Sequence, residues 1–133
     1  MCQPASIHAG QRVHLEVFAK KRVAIVPAAL GLAAPVVRLG RVVHAGCRSD
    51  AWTLDPSGVV RFLPGVTLGR VFELWGQPLG PARLLSFHGP VSLYVNGTRR
   101  DVDLRALPLR DGDEIVLEVG GYVPPHRSFR FPR

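Results

Sequence analysis

The chain has 133 residues, a length that suits one domain, and these are 47% hydrophobic but only 8% aromatic. Small aliphatic side chains must therefore fill most of the core. No apolar run approaches the roughly 20 residues that cross a membrane, because proline and glycine interrupt the longest one, 23–37. The composition thus indicates a globular domain and excludes a membrane-spanning helix.

The formal net charge is +7, and arginine supplies most of the positive charge. Arginine pairs with phosphate and stacks on bases, so nucleic acid is one candidate partner. However, the arginines are spread along the whole chain. Two local clusters, Lys20-Lys21-Arg22 and Arg99-Arg100, fall at predicted turns, where solvated charge is expected anyway. Nucleic acid is therefore the weaker candidate, and another protein is the favoured partner.

The N-terminus shows no basic segment followed by an apolar segment, so the sequence predicts a cytoplasmic protein without a signal peptide. Cys2 leaves one alternative open, an exported protein whose true start lies upstream of Met1. Two cysteines, Cys2 and Cys47, are too few to define a disulfide framework. The favoured interpretation is two free thiols in a reducing compartment, with a single bridge as the alternative.

The first predicted elements are strands. Apolar residues alternate over 13–18, and after Lys20-Lys21 a second strand is predicted at 23–26, which makes a hairpin. The stretch 28–46 is apolar, is interrupted by glycine and proline, and ends in a short strand at 41–44. Turn formers at 55–58 introduce another strand at 59–62.

One helix is predicted, at Leu68–Trp75. Apolar side chains recur there at i, i+3, i+4 and i+7, which places them on one face. Thr67 can cap the N-terminus, and Gly76 stands where a left-handed residue ends a helix.

A second hairpin is predicted around Asn96-Gly97, a pair that tolerates the positive φ angles of a tight primed turn. A further turn at 111–113 introduces the strand Glu114–Val119. Together these elements predict an α+β fold that is mostly β, with a β-grasp-like mixed sheet curled around one short helix. The predicted organisation is a loose arm at 1–11, one domain at 12–120 and an extended tail at 121–133.

Six short motifs occur in a fixed order along the chain: HLEVF at 14–18, VPAALGL at 26–32, DPSGVV at 55–60, TLGRVFELWG at 67–76, YVNG at 94–97 and EIVL at 114–117. This order resembles an uncharacterised family of small bacterial β-rich domains, whose members are often exported or membrane-tethered. The motifs of that family are an H-x-H-L strand, L-H-T-H-D-x-S-G-I-I-H, T-L-G-x-F-F-x-V-W-G and Y-V-N-G. The resemblance covers residues 12–120.

The chain departs from the family at the histidines, which the resemblance implies would form a metal site. Arg12, Trp52, Leu54 and Arg61 stand at four of those positions, while His14 and Cys47 remain. One histidine and one cysteine fall short of the three or four ligands that hold zinc or copper. We therefore predict a degenerate site, comprising all six residues, with no metal cofactor. The alternative is zinc or copper held by His14 and Cys47, with His8 or His44 recruited.

The main structural expectation is that residues of the degenerate site, which come from distant parts of the sequence, meet in the fold. We predict that His14, Trp52, Leu54 and Arg61 lie close together. The Trp-Leu pair should form an apolar patch, either packed internally or used to grip a partner.

No other pattern indicates catalysis. Ser57 lies in a turn and lacks the context of a nucleophile elbow, and Asp101 and Asp103 are typical of a solvent face. Glycine-rich phosphate loops are missing. Gly120-Gly121 resembles the C-terminus of β-grasp sulfur carriers, although here 12 residues follow it.

The sequence therefore favours a non-enzymatic binding or interaction domain, possibly part of a larger assembly. A metal-binding protein is the first alternative. The second is a carrier protein activated at Gly121 after cleavage of the tail. The oligomeric state stays open.

Overall fold

The computed structural model describes residues 6–132. Its helices are α1 (Leu68–Trp75) and a 3-10 helix (Leu104–Ala106). Its strands are β1 (Gln11–Ala19), β2 (Arg22–Ala24), β3 (Leu32–Ala33), β4 (Val36–Arg38), β5 (Arg41–His44), β6 (Cys47–Arg48), β7 (Ala51–Trp52), β8 (Val59–Phe62), β9 (Leu79–Gly80), β10 (Arg83–Leu84), β11 (Phe87–His88), β12 (Val91–Val95), β13 (Thr98–Arg100) and β14 (Glu114–Val119).

The main sheet has seven strands in the order β13-β12-β14-β1-β8-β7, and β2 pairs with the second half of β1. The neighbours β1 and β14 run parallel, whereas the other pairs in this sheet are antiparallel. The helix α1 packs against the inner face of the sheet, and the largest apolar cluster fills the space between them. The predicted α+β, mostly β fold with a mixed sheet and one short α-helix is confirmed.

The boundaries of α1 follow from its caps. The Thr67 hydroxyl accepts a hydrogen bond from the Arg70 backbone N–H, and Gly76 ends the helix with φ of 75°. Leu68, Val71 and Phe72 are buried, while Trp75 is half-buried against the core. An eight-residue helix is also far too short to cross a bilayer, and the described residues contain no longer one.

Two tight turns close two hairpins of the main sheet. Asn96 and Gly97 connect β12 to β13 with φ angles of 53° and 82°, as a primed turn requires. Lys20 and Lys21 connect β1 to β2 with φ angles of 51° and 64°, although lysine adopts this region less readily. The second strand of that hairpin ends at Ala24, two residues earlier than predicted.

The stretch 28–50 adds a small layer beside β7 and β8. Its short strand pairs, β3–β6 and β4–β5, surround a second apolar cluster that includes Val42, Trp52 and Leu54. Ile7 is also buried in this cluster, so this part of the predicted arm packs on the domain. The rest of the arm, residues 1–5, lies outside the described residues.

The C-terminal tail lies across the outer face of the sheet, opposite α1. It forms no strand within the described residues, in keeping with the extended conformation that the sequence predicts. The Val123 N–H donates to Glu118, and the Phe129 ring stacks on His14. The division into arm, domain and tail stays a prediction, but both flanking segments contact the sheet.

The burial of Phe72 gives a first testable prediction. Phe72 is 0% exposed in the core, so Phe72→Ala should lower the free energy of unfolding by about 3–5 kcal/mol. Glu73→Ala, one residue along on the exposed side of α1, should have little effect. Urea denaturation of both variants measures the difference, and a small loss for Phe72→Ala would contradict the packing of α1 on the sheet.

The turn at Asn96-Gly97 gives a second prediction. A side chain at Gly97 must adopt positive φ, and a Cβ there would lie 2.5 Å from the Arg127 side chain. Gly97→Val should therefore cost about 1–2 kcal/mol for the backbone alone, whereas Thr98→Ala, at an exposed site, should cost little. Thermal melting compares the two variants, and equal melting temperatures would show that the turn is not under this constraint.

Candidate functional site

The candidate site lies on the outer face of the sheet. Residues of β1 alternate between the two faces, so Val13, Leu15 and Val17 enter the core. The other set, Arg12, His14 and Glu16, lies beneath the C-terminal tail. The tail therefore decides which polar groups of this face are buried.

The structure brings most of the predicted site residues to neighbouring strands. Arg12 is directly opposite Arg61 in the β1–β8 pair, and Arg61 is opposite Trp52 in the β7–β8 pair. His14 is opposite Val59 on the same two strands, one step from Arg61 on that face. Leu54 and Arg61 line one cavity.

Trp52 and Leu54 pack internally rather than forming an exposed apolar patch. Trp52 is 1% exposed and Leu54 4% exposed. The Trp52 indole N–H donates to the Ile7 carbonyl at 2.8 Å, and the Arg48 guanidinium lies 4.4 Å from the centre of the Trp52 ring. Of the two roles that the sequence leaves open for this pair, the geometry matches internal packing.

Cys47 lies outside the main sheet that carries Arg12, His14, Trp52 and Arg61. It lies on β6, opposite Ala33, and it does not belong to the group of potential metal ligands around His14. Cys47 is also not a free thiol, which corrects the favoured interpretation for this residue. Cys2 lies outside the described residues.

Three arginines meet at a small cavity of about 40 Å³ beside β8: Arg12, Arg41 and Arg61. Arg41 forms an ion pair with Asp55 at 2.7 Å. Arg61 donates to the carbonyls of His8 and Ala9, and Arg12 donates to the Pro132 carbonyl and lies over the Phe131 ring. Burial first, and then the charges of Arg12 and Arg41, lower the pKa of Arg61.

His14 is the centre of a second group of polar residues. Its Nε2–H donates to the Ser57 carbonyl at 2.8 Å, because a carbonyl oxygen can only accept. Its Nδ1 lies 2.7 Å from Glu114 Oε1. The Phe129 ring covers one face at 3.6 Å and 7° from parallel. Gly58 borders the ring, and a Cβ there would lie 3.1 Å from Nε2.

The carboxylates of Glu16 and Glu114 share the environment of His14. Burial raises the pKa of Glu114 to about 7, against the opposing effect of its hydrogen bond with His14. Burial would lower the pKa of His14, but the hydrogen bond and charge of Glu114 outweigh it, so the pKa is raised. Burial would raise the pKa of Glu16, but its hydrogen bonds with Glu114 and His126 outweigh burial, so the pKa is lowered.

Sequence reasoning missed Glu16, Glu114 and His126. His126, in the tail, lies 2.7 Å from Glu16, and this contact raises its pKa. Glu16 was within reach of sequence reasoning, since it follows His14 by two positions on the same strand and so shares its face. Nothing local indicates Glu114 or His126, which are 100 and 110 residues from their partners.

Comparison with known protein families, with characterised proteins and with solved structures finds no match to this chain. The resemblance to the histidine-rich family therefore stays a prediction. The chemistry of the site has to be argued from its own residues.

A further buried carboxylate, Glu118, lies along the same face. It is 3% exposed, its Oε1 accepts from the Val123 N–H, and its Oε2 has no hydrogen-bond partner among the described residues. Its cross-strand neighbours, Phe18 and Ser92, carry no charge. Burial raises the pKa of Glu118, against the effect of the Val123 hydrogen bond.

This raised pKa predicts how Glu118 affects stability as pH changes. The folded state binds its proton more tightly than the unfolded chain, whose glutamates titrate near pH 4.3. Ionisation of Glu118 therefore lowers the free energy of unfolding, and this loss grows as the pH rises above about 4.3 and through the folded pKa. Glu118→Gln should raise the melting temperature more at pH 8 than at pH 4, because glutamine does not titrate. A difference between variant and parent that is the same at both values would contradict this.

Proposed function

We propose that this chain is a non-enzymatic binding domain, which holds an anionic group of another protein between Arg12, Arg41 and Arg61. The ligand group is a carboxylate or a phosphate, since guanidinium groups recognise the planar and tetrahedral oxygens of both. A cavity of about 40 Å³ has room for such a group, because a water molecule needs about 10–15 Å³ on the same scale.

The observation that carries this proposal is the direct pairing of Arg12 with Arg61. Like charges directly opposite each other across two strands are unfavourable. Neither guanidinium makes an ion pair with a carboxylate in residues 6–132. Their direct partners are neutral carbonyls and an aromatic ring, and Asp55, the carboxylate whose charge acts on Arg61, is already paired with Arg41. A bound anion would remove the repulsion between them.

The same residues argue against a cation at the positions where the family carries histidines. Arginine is a donor with a permanent positive charge, the indole of Trp52 donates, and Leu54 offers no lone pair. The replacement of neutral ligands by arginine reverses the charge preference of the site. This supports an anion as the ligand of this domain and weighs against the zinc or copper alternative at these residues.

The enzyme and carrier alternatives have less support. His14 touches the Ser57 carbonyl, while the Ser57 hydroxyl donates to Asp55, so the two do not form a nucleophile–base pair. Beyond Gly121 the chain stays in contact with the sheet, for example where Tyr122 packs edge-on against Tyr94. Carrier chemistry at Gly121 would require removal of this packed segment.

Inorganic phosphate is the probe for the anion site. At constant ionic strength, phosphate should shift the backbone amide NMR signals of Ser57 and Val59 in a saturable way, because both residues line the cavity. Arg61→Gln should weaken phosphate binding at least tenfold, since a charge-assisted hydrogen bond contributes about 1.5–3 kcal/mol.

Arg99→Gln is the matched control. It removes one positive charge at an exposed position on β13, away from the cavity, and should leave phosphate binding unchanged. Arg41→Gln serves as a second test if Arg61→Gln does not fold. Equal weakening by Arg99→Gln would show a general charge effect, and shifts no larger than those caused by chloride would refute the proposed site.

A further inference from the structure

We propose that His14, Glu16 and Glu114 form a binding site for one divalent transition-metal cation, for which Zn²⁺ is the probe. This site is separate from the arginine cavity and uses two residues, Glu16 and Glu114, that are not among the six predicted site residues. One imidazole nitrogen and two carboxylate oxygens are ligands of the kinds that zinc takes in proteins.

The distances place the three ligands together. One ligand atom from each residue lies within 4.8 Å of the other two. The fold fixes this arrangement, because His14 and Glu114 are directly opposite each other in the β1–β14 pair. Glu16 is two positions further along β1 and therefore on the same face. All three come from regular strands, which position ligands more precisely than loops do.

The imidazole of His14 is already oriented as a ligand. Because Nε2–H donates to the Ser57 carbonyl, the neutral ring carries its lone pair on Nδ1, which points at Glu114. Metal-bound histidines usually donate their other ring N–H to a backbone carbonyl or a carboxylate in this way. The stacked Phe129 ring fixes the plane of the imidazole, and Gly58, which has no side chain, leaves room for the ring beside it.

The surroundings of the three ligands also offer a solvent cavity and a possible fourth ligand. A cavity of about 90 Å³ borders His14 and Glu16 between β2 and the turn at Ser57 and Gly58, so two of the three ligand residues are open to solvent-sized molecules. His126 of the tail lies 2.7 Å from Glu16. Either His126 or water can supply the fourth ligand that tetrahedral zinc requires.

The test uses the full chain without a histidine tag, freed of metal by a chelator and titrated with Zn²⁺ by calorimetry. We expect one equivalent to bind to the parent protein and to raise its melting temperature. Glu114→Gln should weaken the affinity at least tenfold, and Glu16→Gln should do the same. Glu16→Gln keeps the test decisive if Glu114→Gln does not fold, because Glu16 is less buried than Glu114.

Two controls separate this site from nonspecific binding. Glu118→Gln removes another buried carboxylate from β14, and His88→Ala removes an exposed histidine on β11. Both should bind zinc like the parent protein. Arg61→Gln should also keep the zinc affinity, which distinguishes this site from the arginine cavity.

Three outcomes would overturn the proposal. The parent protein could take up less than one equivalent of zinc. Zinc could bind equally well to folded Glu16→Gln protein. Finally, His88→Ala could lose as much affinity as Glu16→Gln, which would place the ion on the surface. In the first case, the three residues serve only as a hydrogen-bonded group beneath the tail.

Discussion

The parallel pairing of β1 with β14 is the contact on which the rest of the molecule depends. It joins the first strand of the main sheet to the last, and the other strands of that sheet attach to one side or the other of this pair. The register sets Leu15 beside Ile115 and Val17 beside Leu117, all of them in the core. The same register places His14 beside Glu114 on the opposite face. One pairing therefore fixes both the apolar core and the polar group on the outer face.

The C-terminal tail determines the chemistry of that outer face. Without a cover, Glu114 and Glu118 would be ordinary solvated residues of a two-faced sheet. Aromatic and backbone groups of the tail cover them, and this burial is what raises their pKa values. The tail supplies few charged partners for the carboxylates that it covers, apart from His126 beside Glu16. The outer face thus combines buried charges with incomplete compensation, which is a typical property of binding sites.

Local signals explain why much of the fold could be predicted from the sequence. Asn96-Gly97, Thr67 and Gly76 act through their own backbone conformation, so their roles do not depend on distant residues. Within the stretch 28–46 the sequence predicts only the strand at 41–44, which the structure has as β5; the strands β3 and β4 are two and three residues long and lack a repeating pattern. Val42, on β5, is buried as a member of the second apolar cluster.

The candidate site was predictable only in part, for a related reason. Alternation predicts that Arg12 and His14 share one face, and the resemblance to the histidine-rich family implied that Arg61 and Trp52 lie nearby; in the structure both lie on the neighbouring strands β8 and β7. Alternation also makes Glu114 look like a solvent-facing residue. Its burial comes from a tail that contacts the sheet through isolated side-chain and backbone groups, and such contacts leave no periodic pattern in the sequence.

The outer face of β1 carries opposite charges at its two ends, and this arrangement links the two proposed sites. Arg12 faces another arginine across the sheet, while Glu16 and Glu114 crowd around one imidazole. In each case like charges lie closer together than the pairing of strands alone would favour. The tail offers each end only weak compensation, a carbonyl and a ring for Arg12 and one histidine for Glu16. Each end therefore gains most from a ligand of the opposite charge, an anion at Arg12 and a cation at Glu16. The net charge of +7 does not decide between them, because at these distances the local arrangement of charges outweighs the sum.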